Sequence, residues 1–320
     1  MRFDVVIGNP PYQGSDGQSQ IYPKFIINSL ELTSKYTTMI VPTRWFNGYS
    51  TELNTCRHKL LKESIKELID YTSAKDVFDN VQIMGGVCYY LTEKGYQGDC
   101  KVINYRKENK SQKVRKLTVF DSDIIIRDNM AVSILEKVKS SDTFEFFVHT
   151  KDVFKIPSTE KGLETYEEGT TGVYITGNDP KFKGGVIRYI KSTQITDDDN
   201  LINKNKVFLF AASDNMLSFP FKVINKPIFG PPGIACNQSF IVCGPFGNKE
   251  TCENVIKYLS TKFARALIHI RKMSQNTSSD IYKFVPLVDL NQTWTDEKLY
   301  KFFGLQSDEI DYIETNFKEI

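Results

Sequence analysis

Four consecutive residues near the start of the chain, Asn9-Pro10-Pro11-Tyr12, combine types that can hold a planar amino group. Proline has a fixed φ and no N–H, and it drives the residue before it toward an extended conformation. Two in succession make a stiff turn in which the Pro10 carbonyl has no neighbouring N–H, because Pro11 supplies none. Asn9 adds a second acceptor through its side-chain oxygen. Two carbonyl oxygens side by side match the two hydrogens of an –NH2 group. Such a group on adenine is a weak nucleophile, its lone pair being delocalised into the ring. Accepting both hydrogens orients the nitrogen and favours pyramidalisation, which frees the lone pair to take up an electrophilic methyl group. The proton can leave afterwards, so no general base is demanded. Tyr12 offers a ring for the base to stack on, worth on the order of 1–3 kcal/mol. That gain helps offset the few kcal/mol needed to extrude a base from a duplex.

The elements that must position this turn follow from the apolar pattern. Residues 3–8 (FDVVIG) form a short apolar run that stops at a glycine and two prolines, as a buried strand does. In an open α/β sheet, ligands sit beyond the carboxyl ends of strands, where the turn falls. Ile21, Phe25, Ile26 and Leu30 recur at helical spacing, residues 37–41 (TTMIV) read as a strand ended by Pro42, and Leu53, Cys56, Leu60 and Leu61 mark a second helix. Residues 65–71 and 87–91 are further strands. This alternation predicts an α/β layer with parallel strands over the first 95 residues.

Beyond residue 95 the texture changes. Short β-like runs at 101–105, 116–120, 185–189, 207–210 and 240–242 are separated by turns rich in glycine and asparagine. A helix is predicted at 130–139, and residues 249–272 carry a long amphipathic pattern with Val255, Tyr258, Leu259, Phe263, Leu267 and Ile270 on one face. Acid-rich helical turns at 296–303 and 307–317 close the chain. The organisation expected is a first part over residues 1–125 and a second over 126–320.

Composition narrows the classes. The 320 residues are 40% hydrophobic and 25% charged, with 19 glycines and 12 prolines, which is globular and neither collagen-like nor disordered. No run approaches the length of a membrane span, and the first residues read as a strand rather than a leader, so a cytoplasmic, non-membrane protein is expected. Cys56, Cys88, Cys100, Cys236, Cys243 and Cys252 form no C-x-x-C pair, which argues against zinc and a disulfide framework. The formal charge of +2 is unevenly spread: residues 286–320 hold eight acids and three lysines, whereas residues 94–116 hold eight Lys/Arg and two acids. The basic stretch suits phosphate contacts or a solvated hairpin face. His58, His149 and His269 lie far apart and support no triad. Asp99, Glu108 and Lys110 have a faint nuclease-like spacing, but in a charged hairpin without the buried strands such a site requires. Arg127-Asp128, ahead of the predicted helix, suits a phosphate contact or a helix cap.

The run FDVVIGNPPY resembles the amino-methyltransferase motif of the DNA adenine-N6 methyltransferases. The order that follows (IYPKFIINSLEL, TTMIVPTRWF, IKELIDY, then GGVCYYL) looks like the later half of the methylase domain in type IIG-like restriction–modification enzymes, a gamma-class amino-methyltransferase arrangement. The tail from IRKMSQNTSSDIYKF to the acid-rich end resembles the terminus of that family's target-recognition region. The resemblance implies a partial Rossmann-like methyltransferase sheet over residues 1–125 and an α+β target-recognition domain over 126–320. It implies catalytic roles for Asn9, Pro10 and Tyr12, and base contact by Pro11 and by Phe78, which stands where the family places an aromatic on the other face of a flipped adenine. The partner implied is double-stranded DNA. In the segment after residue 262, Arg271 and Lys272 suit phosphates, and Gln275 and Asn276 suit adenine edges; a core helix with a cationic last turn is the other reading.

The same resemblance implies S-adenosyl-L-methionine as methyl donor, held by a Gly-rich turn upstream of the NPPY motif. No Gly-x-Gly tripeptide occurs in the chain. The expectation is therefore a fragment or subunit, with the cofactor half on a separate polypeptide that pairs along strand 3–8, or a truncated product. The alternatives are a catalytically silent DNA-specificity module and an RNA or protein-amide N-methyltransferase, since the four-residue motif defines planar-amine chemistry better than it defines the substrate.

Overall fold

The computed structural model describes the chain apart from residues 1, 18, 64, 80–82, 84, 107–108, 121, 177–184, 214–218 and 273. It divides into two compact units, Met1–Ser133 and Ile134–Ile320.

The first unit is built on a six-stranded sheet. In chain order its elements are β1 (Phe3–Gly8), α1 (Tyr22–Leu32), β2 (Thr33–Pro42), α2 (Thr51–Lys62), β3 (Ile65–Tyr71), β4 (Val87–Glu93), β5 (Cys100–Arg106) and β6 (Asn109–Arg115), and it ends within α3 (Asn129–Val138). The strands lie in the order β1-β2-β4-β3-β5-β6. β1 and β2 are parallel, as are β3 and β5, but β4 runs antiparallel to both of its neighbours and β6 antiparallel to β5. The sheet is therefore mixed, not the all-parallel layer expected from the alternation. Among the described residues, the fifteen-residue link between β3 and β4 holds a 3₁₀ turn over Ala74–Asp76 and no crossover helix, which a parallel return usually uses.

Helix α1 starts with Pro23 in its first turn, where a missing N–H costs nothing. Helix α2 is capped by Ser50, whose hydroxyl accepts from Leu53 N at 3.3 Å. Tyr22, Ile26 and Leu30 of α1 and Leu53, Cys56 and Leu60 of α2 pack with Met39, Val41, Leu68, Cys88, Tyr90 and Val102 in one buried cluster. Each such aliphatic side chain contributes roughly 1.5–3 kcal/mol by leaving water. Both helices cover the same face. On β1 the opposite face is bare: Phe3, Val5 and Ile7 are 48%, 54% and 79% exposed. All six cysteines are buried and free.

Residues 116–120 do not form a strand; the strand lies just ahead, in β6. The chain then folds back over β3 and β5 through a buried polar network. Asp70 of β3, 1% exposed, receives Nε and Nη2 of Arg127 at 2.6 and 2.7 Å. Asn104 of β5 donates to the Arg127 carbonyl at 2.9 Å, and Arg115 donates to Asn129 Oδ1 and the Ile126 carbonyl, both at 2.7 Å. This tether ties residues 126–129 to β3 and β5 of the first unit.

The second unit contains β7 (Thr170–Ile175), β8 (Val186–Lys191), β9 (Asn205–Phe210), β10 (Ile228–Gly230), β11 (Ile234–Cys236), β12 (Phe240–Phe246), α4 (Lys249–Ser260), α5 (Lys262–Arg271), α6 (Asp296–Phe302) and α7 (Ser307–Asn316). The strands form two three-stranded sheets, β10-β9-β12 and β11-β7-β8. The single amphipathic pattern over 249–272 is two helices. Thr261 breaks it, accepting from Ala264 N at 3.1 Å, and the Asp296 carboxylate accepts from Lys262 N and Phe263 N at 3.0 and 2.7 Å. Among the described residues no helix is long and apolar enough to cross a membrane.

Candidate functional site

The NPPY turn leaves the carboxyl end of β1 with Asn9 and Pro11 exposed, Pro10 buried and Tyr12 half-buried. A loop closed by the Gln13–Gln20 bridge and by Gly14 N donating to Ser19 O at 2.9 Å carries the chain into α1. The Tyr12 carbonyl accepts from Ile21 N at 3.3 Å, which ties the turn to the start of that helix. Among the described residues, no hydrogen bond engages the Asn9 side chain or the Pro10 carbonyl. Asn9 is exposed, whereas Pro10 is buried, so of the two acceptors only the Asn9 side chain stands on an exposed residue.

Tyr12 meets Tyr22 edge-on, with ring centroids 6.5 Å apart. Burial pushes the Tyr12 phenol up to about 12. Its ring is therefore a neutral stacking surface throughout the physiological range. The Tyr12 hydroxyl is shielded from solvent and has no hydrogen-bond partner among the described residues. A buried unsatisfied hydroxyl costs about 1–3 kcal/mol. Tyr12→Phe is accordingly expected to raise the denaturant midpoint without loss of base stacking, as unfolding curves and DNA affinity would check. Between pH 10 and 12 the wild type is expected to lose stability, because its unfolded state ionises the phenol first; the phenylalanine variant lacks that contribution.

Phe78 follows a short 3₁₀ turn over Ala74–Asp76, with Phe78 N donating to Ala74 O at 2.8 Å. It is half-buried and packs, as Tyr12 does, against a small cluster of Ile40, Ala74 and Val87. The two aromatics 66 positions apart in sequence are thus brought to one place. Asp79 is exposed, and Asn80, two positions beyond Phe78, lies outside the described residues. Gly86, at φ +82°, lets the chain re-enter β4 against β3; a Cβ there would stand 2.0 Å from the Tyr71 carbonyl. Thr43 N donates to the Gly86 carbonyl at 3.2 Å, and the Thr43 hydroxyl to that of Gly85 at 2.7 Å, which anchors the two glycines ahead of β4.

Three further aromatics stand around this cluster that motif reasoning did not single out. Tyr71 and Tyr89 belong to its half-buried rim, meeting edge-on at 5.8 Å. Tyr105 stacks on Tyr71 at 4.6 Å with 3° between the planes. The signal available in sequence was a tyrosine at or next to the carboxyl end of two separate β-like runs, IKELIDY and CKVINYR.

Other expected contacts fall differently. Arg271 and Lys272 are only 2% and 1% exposed. The Arg271 guanidinium sits 5.3 Å over the Phe284 ring, and the Lys272 ammonium donates to the carbonyls of Ser274 and Asn276 at 2.8 and 3.0 Å. Neither side chain reaches a phosphate from there; the structure corrects that reading in favour of a packed cationic helix end. Gln275 and Asn276 are exposed. Arg127 is committed to Asp70, so it caps no phosphate either. Glu108 lies outside the described residues. Two surface cavities of about 450 and 440 Å³ lie in the second unit, one along Tyr166, Tyr189 and Gly233 and one along Tyr300, Leu305 and Glu314; neither touches the NPPY turn.

S-adenosylmethionine offers a carboxylate that needs N–H donors. The turn after β1 opposes that requirement, because Pro10 and Pro11 have none and the Asn9 oxygen and Pro10 carbonyl are acceptors. The backbone of this turn does not by itself fit that group.

The strand end after β1 thus brings together two acceptors without hydrogen-bond partners among the described residues and a group of half-buried aromatic rings. The sequence model of the Eco57I restriction-modification methylases matches residues 1–78. A Mycoplasma pneumoniae protein named as an uncharacterized adenine-specific methylase is 35% identical over 147 residues, which cover 43% of this chain and 33% of that relative. The first unit thus carries an Eco57I restriction-modification methylase match, and the chain spans about a third of the length of its adenine-specific methylase homologue. Among solved structures, the Type IIL restriction-modification enzyme MmeI in complex with DNA is similar over 99% of this chain and 55% of its own, at 9% identity and a TM-score of 0.42. The type IIG restriction endonuclease BpuSI is similar over 93% and 44%, at 11% identity and a TM-score of 0.34. A type I methyltransferase subunit from Streptococcus thermophilus is similar over 36% and 29%, at 18% identity and a TM-score of 0.28. At such values the likeness is too loose to assign a fold or an activity.

Proposed function

We propose that the chain is the base-holding and target-recognition portion of a restriction–modification DNA methyltransferase that acts on the N6 amino group of adenine. The observation that carries this reading is the pair of unengaged acceptors, Asn9 Oδ1 and the Pro10 carbonyl, at the end of β1 beside the cluster that gathers Tyr12 and Phe78. The adenine amine donates one hydrogen to each oxygen. The nitrogen then becomes more nearly pyramidal and its lone pair turns toward the incoming methyl group. Tyr12 and Phe78 offer the aromatic faces between which a turned-out base can rest, with Pro11 at its edge. The match to the methylase family and the adenine-specific homologue support the same chemistry. The second unit, including exposed Gln275 and Asn276, is assigned to recognition of duplex DNA.

The methyl donor is brought by another polypeptide segment. β1 is the sheet edge, runs parallel to β2, and exposes Phe3, Val5 and Ile7. Parallel strands are covered on both faces in folded enzymes, and a bare apolar edge invites pairing. The occupant assigned to it is a strand parallel to β1 with an apolar element behind it, from the part that holds S-adenosylmethionine. Calorimetry of the chain alone with S-adenosylmethionine is expected to give no binding heat; tight binding would overturn the division of labour. With the donor-bearing segment present, incubation with duplex DNA is expected to yield N6-methyladenine. A product confined to RNA or to a glutamine amide would refute the substrate.

A further inference from the structure

The β5–β6 hairpin carries the basic stretch that the methylation chemistry does not use, and its charges are not equivalent. Lys101 is paired with Glu67 at 2.9 Å, Arg106 with Asp128, and Arg115 is buried in the polar tether. Lys110 differs. Like Lys113 it is exposed on β6 with no ion pair among the described residues, but its ammonium also stands 5.6 Å over the Tyr105 ring. Lys110 and Tyr105 are cross-strand partners, and Tyr105 is the partner of Tyr71 in turn, so all three side chains project from one face. The Tyr105–Tyr71 stack continues through Tyr71–Tyr89 into the cluster holding Tyr12 and Phe78. A positioned cation is thereby joined by a rigid line of rings to the place where the base is held.

We propose that Lys110, seated on the Tyr105–Tyr71 stack, is a phosphate-positioning contact for the DNA strand next to the target adenine. This rests on the reading of the chain as a DNA methyltransferase portion. The ring under the ammonium restrains a side chain that would otherwise sample many rotamers, and it does so without neutralising the charge. A phosphate contact fixes the register of the strand without reading its sequence. Gln112 projects from the same face one pleat further along β6 and is also exposed, which extends the polar track away from the base site.

The test is the salt dependence of duplex binding by the full protein, together with the donor-bearing segment if binding requires it, followed by fluorescence anisotropy. Lys110→Ala is expected to weaken binding several-fold on every sequence and to reduce the slope of log affinity against log salt by about 0.9, the loss of one phosphate contact. Lys110→Arg is expected to keep the slope, and Tyr105→Leu to weaken binding while Tyr105→Phe does not. Lys62→Ala, which removes an exposed lysine from α2 on the other side of the sheet, serves as the control and is expected to leave the slope unchanged. A wild-type slope in Lys110→Ala overturns the proposal. So does an equal fall in slope for Lys62→Ala, since the contact would then be unspecific. Failure of the wild type to bind DNA at all refutes the methyltransferase reading instead. The two are separated further by Asn9→Ala, which is expected to lose methylation with its salt slope intact.

Discussion

Asn9→Ala is expected to lower methyl transfer by on the order of 10²–10³-fold, with DNA affinity held within a few-fold. The asymmetry follows from where the side chain sits. Asn9 is exposed, and no hydrogen bond within the described structure engages its amide, so its removal leaves the fold and the turn intact. What is lost is one of two acceptors that polarise the amine, an interaction that strengthens as the nitrogen becomes pyramidal. A contact of that kind acts on turnover rather than on binding. Single-turnover transfer, measured alongside duplex affinity, separates the two; full activity in the variant would remove the basis of the functional reading. Tyr12→Ala should weaken transfer less, because stacking is partly replaced by the neighbouring Phe78, Tyr71 and Tyr89 surfaces.

The largest effect on stability is expected from Asp70→Ala. Asp70 is 1% exposed and receives two hydrogen bonds from Arg127 and a third from Asn104 at 3.3 Å. Taking away one member of a buried pair costs about 3–5 kcal/mol, because the other charge is left uncompensated. The Arg127 side chain keeps 28% of its surface exposed, which places the expected loss near about 3 kcal/mol, the lower end of that range. The urea midpoint should fall with the m-value unchanged. Function should follow, since Arg127 also donates to the Tyr71 carbonyl at 3.1 Å, the carbonyl that Gly86 approaches closely. A midpoint within error of wild type would show that the tether from β3 to residues 126–129 contributes little.

Much of the first unit was legible locally. FDVVIG, TTMIV, IKELIDY and VCYYL are strands because their apolar and β-branched residues repeat at a strand's period. The helices between them carry their own start signals, Pro23 in one and Ser50 in the other. The turn that ends β1 was legible for the same reason, since two prolines constrain their own backbone. The reading failed where partners are distant. Nothing within residues 87–93 states that β4 inserts antiparallel between β2 and β3. Nothing in KFARALIHIRK distinguishes an arginine that faces DNA from one laid over Phe284, thirteen positions away.

By itself the sequence determined that a rigid pair of acceptors ends a strand, that aromatics accompany it, and that positive charge concentrates between residues 94 and 116. These are properties of bonded geometry and of side-chain type, and they need no neighbours. Only the tertiary structure decided which aromatics gather at that strand end and which cations are already spent on carboxylates and carbonyls. It also decided that one face of β1 stays bare. Each of those depends on strand order and on long-range burial, where the free energy of a side chain is set by residues remote in the chain.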